Sequence, residues 1–458
     1  MARDCRCQLR PRRWLVLIVI AIVGLPTGCA RSVKTIEHAR AAYTAGDLQT
    51  ADQTLTAFAE KRSRSSDTAA LDLAIVELTS GDIDSAEARL RKMRDKFDQL
   101  PKLSIVGEAA SVVTDDRARM YRPAGYEEVM VRAMLSVCSL AGDAIDAESY
   151  SLQAAKKQSE LQQAAADRGI PSADQLYQPI ALAPYLRGVL REATHHDFDD
   201  AENAYRLVSA AAPHFAPAAE DIARASGGAH SSAGHGVLYV IACVGRGPVL
   251  RETVAQTTST ALSIASAVLN AETNETDGPD GKRVNGPVLP NIASVKVPEV
   301  HIPPSPIAAI GIRTGGQLLG ATQTLTDVGD LAIRQVEAEM PWTIARAVVR
   351  RTTKEATVAK VGDSLGLDGT AGTLFHFAAA SAWAGSEKAD TRCWGLLPRE
   401  IQVFRAELPA GDHEVAMQSL GYTGQAIGPP VQLSVPIVDG RNTYRVVIAP
   451  AETIFVAR

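Results

Sequence analysis

Aromatic residues are scarce in this chain, 5% of 458. Alanine is abundant in the first half instead, which favours closely packed helices there over a large aromatic-lined pocket. Basic residues are not in excess either. Lysine and arginine number 47 against 52 acidic residues, for a formal net charge of -5. Nucleic-acid binding needs clustered cations that release counterions, so this balance argues against a nucleic-acid partner. No apolar run after residue 25 reaches the 18 or so residues that a spanning helix requires. Six cysteines lie scattered, without the spacing of a metal site or a disulfide framework. At about 150 residues per domain the length allows two or three domains.

The amino terminus is the exception to this even texture. Arg3, Arg6, Arg10, Arg12 and Arg13 precede an apolar stretch from Trp14 to Leu25, and then come Pro26-Thr27-Gly28-Cys29-Ala30. A positive segment, a short apolar segment and small residues form the layout of a secretory signal. The ending Leu-Pro-Thr-Gly-Cys resembles a bacterial lipobox, although Leu25 stands one place farther from the cysteine than usual. The resemblance implies cleavage after residue 28 and acylation of Cys29, palmitate included, as the new first residue. Several acyl chains on one residue make a stable membrane anchor. Ala30 in place of Asp implies the periplasmic face of the outer membrane. The first 28 residues carry +4, so residues 29–458 carry -9. Cys138, Cys243 and Cys393 then remain, with buried thiols the default and one disulfide among them left open.

In the first half one pattern recurs: Gly46-Asp47 with Ala51, Gly81-Asp82 with Ala86, Gly142-Asp143 with Ala147, and a weaker His196-Asp197 with Ala201. Glycine suits the left-handed end of a helix and Asp caps the next one. Alanine lets two helices approach. The turn resembles that of a tetratricopeptide helical hairpin, with Leu55, Leu90 and Tyr205 at a later core position. Stacked hairpins of this kind offer a concave surface for a protein partner. The competing reading is a bundle that packs only against its own second half. His195-His196-Asp197 falls in a turn, where adjacent histidines are more often solvated than metal ligands.

After Ala229 the texture turns to strand. The apolar run Val237–Val244 reads as a buried strand. Thr257–Leu269 reads as a short helix, 273–306 as a Pro/Gly-rich loop with a β-like patch at 293–297, and Leu325–Val361 as helix with Pro341 in a first turn. Arg346, Arg350 and Lys354 lie four apart, as a solvated basic stripe or a contact for anionic lipid or an acidic partner. Ile401–Leu408 with His413–Met417, and Val431–Val438 with Thr443–Ile448, read as two hairpins of a β-sandwich-like module. Such modules suggest a second role, binding cell-wall glycan. The chain is therefore expected to be α+β: a signal at 1–28, TPR-like helices at 29–225, a mixed α/β region at 226–390 and a β module at 391–458.

Leu325-Thr326-Asp327-Val328, Ile344-Ala345-Arg346-Ala347 and Asp390-Thr391-Arg392-Cys393-Trp394, with the lipobox and the helical repeats, resemble a largely uncharacterised family of bacterial envelope lipoproteins. The resemblance implies an envelope setting and no established reaction. Asp390, Arg392 and Trp394 could form a sugar or peptide site, or an ion pair pinning a junction over a core tryptophan. Gly362-Asp363-Ser364-Leu365-Gly366 matches a serine-hydrolase elbow, but that elbow needs a preceding strand. Gly362 as a helix cap is the simpler reading. His413-Glu414-Val415-Ala416-Met417 lacks the second histidine of a zinc protease. No cofactor, metal or catalytic residue is expected. The sequence points to a protein-interaction scaffold on a lipid anchor, with a hydrolase the least favoured alternative.

Overall fold

A computed structural model describes residues 27–61, 63–100, 121–170, 179–274, 293–364 and 388–457. Its fold is α+β. The helical layer consists of antiparallel pairs. α1 (Thr27–Thr44) and α2 (Leu48–Ala59) turn at Gly46-Asp47; α3 (Ser66–Ser80) and α4 (Ile83–Asp98) turn at Gly81-Asp82. Gly46 and Gly81 have φ of 84° and 87°, the left-handed region that a Cβ disfavours. Asp47 then accepts from the Thr50 amide at 3.0 Å, and Asp82 from the Ser85 amide at 3.2 Å.

The third pair, α5 (Gly125–Ala141) and α6 (Ala147–Asp167), departs from the expected turn. Gly142 has φ -93°, and the left-handed residue is Ala144 at 62°. The residue at the cap of α6 is Asp146, and Asp143 instead accepts from the Ile145 amide at 3.0 Å. α7 (Leu182–Glu192) and α8 (Phe198–Ala211) turn through His195, and α9 (Pro217–Ser226) closes the layer. What all four pairs share is the alanine: Ala51, Ala86, Ala147 and Ala201 are completely buried, as are Leu55, Leu90 and Tyr205. Asp82→Ala should cost about 1 kcal/mol of stability, and Asp143→Ala much less. Thermal unfolding of the two variants checks the difference.

Against this layer lies a five-stranded sheet of order β11-β10-β1-β7-β6. Its strands are β1 (His235–Arg246), β6 (Gln323–Asp327), β7 (Pro398–Pro409), β10 (Asn442–Ala449) and β11 (Phe455–Ala457). β1 pairs parallel to β10 and antiparallel to β7. Side chains alternate across a strand, which explains the unbroken apolar run of β1. Val237, Tyr239, Ile241 and Cys243 enter the core shared with the helices, while Leu238, Val240, Ala242 and Val244 enter a second core. That second core is completed by a sheet of order β5-β4-β8-β9, made of β4 (Ala309–Thr314), β5 (Gln317–Ala321), β8 (Gly411–Leu420) and β9 (Ala426–Ile437). Helices, sheet and sheet thus form three layers. A smaller arm stands apart: β2 (Val249–Gln256) pairs with β3 (Ser294–His301). Onto this ribbon pack α10 (Ser259–Asn274) and α11 (Val328–Ser364), through Ala261, Ala265, Leu269, Val295, Val297, Ile344 and Val348.

Several local expectations are corrected. The two C-terminal hairpins do not form. β7 and β8 join across Pro409-Ala410-Gly411 but lie in different sheets, as do β9 and β10. The same turn residues serve a hairpin or an arch between sheets, and β1 takes up the pairing that β7 and β10 would otherwise give their neighbours. The sandwich therefore draws on strands from residue 235 onward, and the boundary at 390/391 runs through it. Pro341 lies well inside α11, because Asp327 accepts from the Asp330 amide at 2.9 Å and caps the helix much earlier. Gly362 is not a cap, since α11 continues to Ser364. Arg350 is 4% exposed, so this member of the expected basic stripe is not solvated, and the Lys354 side chain lies outside the described residues. The expected loop at 273–306 holds β3, and its part from 275 to 292 lies outside the described residues.

Candidate functional site

A partner was expected on the concave side of a hairpin stack; residues 390–397 lie along one face of the helical layer, against α1, α3 and α5, the first helices of their pairs. The segment has little secondary structure of its own, so its backbone polar groups need partners from elsewhere. Three helices supply them. Arg40 of α1 donates from Nη2 to the Cys393 carbonyl at 2.7 Å. Asp72 of α3 accepts from the Leu396 amide at 2.9 Å. Glu127, in the first turn of α5, accepts from the Trp394 amide at 2.6 Å.

Each of these side chains is held in turn. Arg40 Nε donates to the second oxygen of Asp72 at 2.7 Å, and its Nη1 donates to Glu37 at 2.6 Å. Glu127 accepts from the Ala124 amide at 2.8 Å and from the Tyr121 hydroxyl. Arg246, at the end of β1, donates to the Gly395 carbonyl at 3.1 Å and meets Glu37 at 3.2 Å. Burial pushes the Glu127 carboxyl up to about 7, against the pull of its three donors. Burial also lifts Asp72 above the usual carboxylate range, although Arg40 works the other way.

Asp390, Arg392 and Trp394 are all engaged within the fold. Asp390 and Arg392 form a two-bonded ion pair, Nε to Oδ1 at 2.9 Å and Nη2 to Oδ2 at 2.6 Å. Arg392 also donates to the Arg64 carbonyl at 2.8 Å and lies over the Tyr121 ring. Trp394 has no exposed surface. It cannot stack on a sugar, and a peptide cannot reach it. Gly395 is needed because a Cβ there would overlap the Arg40 guanidinium. That guanidinium is pinned on three sides and cannot give way. Gly395→Ala should therefore cost about 3 kcal/mol, as an overpacked core does. Denaturant unfolding against the wild type measures it.

Magnitudes decide whether this segment could yield its place to another polypeptide. Burying Trp394, Leu396 and Leu397 contributes roughly 6 kcal/mol or more, and each bond to a charged group adds about 2 kcal/mol. A partner of micromolar affinity supplies about 8 kcal/mol in all. The segment stays, and this face of the first helices is covered by the chain itself.

The other singled-out residues do not converge on this segment. Gly46, Gly81 and Gly142 lie in their turns. His195 meets the Gly440 carbonyl through Nε2 at 2.7 Å. Ser364 ends a helix and follows no strand; its side chain and residues 365–387 lie outside the described residues. Cys29 lies on α1 with its side chain undescribed, and residues 1–26 of the expected signal are likewise outside. Cys138, Cys243 and Cys393 are buried and form no disulfide. Burial raises all three thiols, Cys393 to about 11 and Cys243 to about 12. Among the described residues no cluster of three or more potential ligands could hold a metal, and no helix is long and apolar enough to cross a membrane.

Arg40, Asp72 and Glu127 escaped the sequence reading. One signal was available: Asp72 interrupts the apolar run Ala69–Val76, where an ionised side chain must have a built-in partner. Comparison with family models, with curated proteins and with solved structures finds no match to this chain.

Proposed function

We propose that this chain is an exported lipoprotein of the bacterial envelope, tethered through Cys29, and that it serves as a protein-interaction scaffold. The stack of helical hairpins carries the reading, since such stacks commonly present binding surfaces. With the face of the first helices occupied by residues 390–397, the partner surface is the outward side of the helical layer. There Ile145 is 78% exposed, Leu152 45% and Leu207 62%. All three belong to the second helices of their hairpins or the turns leading into them, α6 and α8. The lipobox-like residues and the resemblance to envelope lipoproteins support the setting. The ionisable groups gathered at the covered face hold backbone, which favours a scaffold over a hydrolase.

A photoreactive residue at 145 or 207, introduced into the full chain in its own envelope, should give a defined protein adduct that Leu152→Glu abolishes. Adducts at neither position would remove the scaffold reading. Incorporation of labelled fatty acid, lost in Cys29→Ser, tests the tether separately.

A further inference from the structure

We infer that the arm formed by β2, β3, α10 and α11 faces the membrane to which Cys29 is tethered, with α10 laid against the lipid headgroups. The inference rests on the tether proposed above and adds an orientation and a contact surface to it.

Cys29 lies on α1, eight residues before Glu37, which meets Arg246 at 3.2 Å in the body of the protein. At 1.5 Å per residue a helical path of that length is about 12 Å. Ile36, Ala39 and Arg40 are already buried. A lipid on Cys29 therefore holds the body close to the bilayer, with the amino-terminal end of α1 toward it.

The arm stands at that same end. α1 and α3 run in the same direction, as alternate members of an antiparallel series, and Arg40 pairs with Asp72 between them. Along the segment, Leu396 bonds Asp72, Cys393 bonds Arg40, and Arg392 reaches the Arg64 carbonyl just before α3 begins. The chain thus travels toward the starts of both helices. One step further, the Ala389 amide donates to Glu252 of β2 at 2.9 Å. β2 and its partner β3 continue from there and carry α10.

The surface of α10 suits a bilayer boundary. From Ser259 to Ala271 it has no charged residue. Ala261, Ala265 and Leu269 are buried in the arm, whereas Leu262, Ile264 and Val268 are only partly covered. Ser259, Thr260, Ser263, Ala267 and Asn270 face outward. A helix whose outward face is small and uncharged from Ser259 to Asn270 can lie in the headgroup layer at little desolvation cost, and a tether at the same end removes most of the entropy of finding it.

The test uses the mature chain with a polyhistidine segment in place of the lipid at residue 29, bound to phosphatidylcholine vesicles that contain a chelating lipid. An environment-sensitive fluorophore is placed by Ser263→Cys on α10 and, as a control, by Gln432→Cys on β9. The buried native thiols do not compete for label. The Ser263 label should brighten several-fold on tethering and lose access to an aqueous quencher, while the Gln432 label should not change. Adding phosphatidylglycerol should make no difference, because the contact is charge-free. Equal quenching of both labels, or brightening only with phosphatidylglycerol, would overturn the inference. Because the tether is artificial, its outcome is independent of native acylation, which mass measurement of the natural amino terminus decides.

Discussion

Trp394→Ala is expected to destabilise the protein by about 4 kcal/mol, the range for truncating a fully buried tryptophan. The loss has two sources. The indole lies without exposure in the core common to the helices and the five-stranded sheet, so its removal leaves a cavity between layers. Its neighbours Leu396 and Leu397 lie in the same core, and the Trp394 amide bond to Glu127 fixes their register. Trp394→Phe should cost far less than size suggests. Among the described residues the indole Nε1 is buried without a hydrogen-bond partner, and phenylalanine removes that unsatisfied donor. Equilibrium unfolding in denaturant separates the two variants. Near-equal costs would mean that the indole nitrogen is satisfied after all.

Glu127→Gln gives the second large effect, and its pH dependence is the informative part. Burial holds the Glu127 carboxyl at about 7, above its unfolded value of about 4.3. Between those two values the folded state binds more protons than the unfolded state. Stability from this group is therefore full below about pH 4 and is lost as pH rises through 7, by about 4 kcal/mol in all. Glutamine does not titrate, and its two amide N–H groups face the donors where the protonated carboxyl carries a single O–H. The variant is thus less stable than wild type throughout, by several kcal/mol in acid. The gap narrows as pH rises from about 4.5 to 8. Thermal unfolding of both proteins across that range reads it. A gap that widens with pH would mean that the three donors outweigh burial and keep the carboxylate charged.

The helical hairpins were legible because their signals are local. Gly46 and Gly81 needed a left-handed backbone, Asp47 and Asp82 had amides to cap, and the alanine five residues past each turn faced a neighbouring helix. The third turn misled because Ala144 took the left-handed position that Gly142 advertised. The buried strand at 237–244 was legible from composition, since only burial on both faces tolerates eight apolar residues in a row. What it paired with was not. Arch and hairpin share turn residues, so β7-β8 and β9-β10 looked like neighbours when each pair bridges two sheets. The candidate site was half legible. Asp390, Arg392 and Trp394 were conspicuous, and an ion pair over a core tryptophan was one of their two readings. Their partners lie hundreds of residues away in sequence, with nothing local to announce them except a carboxylate in an apolar helix.

Coverage of the first helices by residues 390–397 limits where any partner can bind, and hydrogen exchange of the Trp394 and Leu396 amides tests it most directly. If the segment is part of the core, both amides exchange only through global unfolding, with protection that tracks total stability as denaturant is added. Exchange of these two amides at the rate of an exposed loop, while the β1 amides remain protected, would contradict the account and reopen that face to an outside polypeptide.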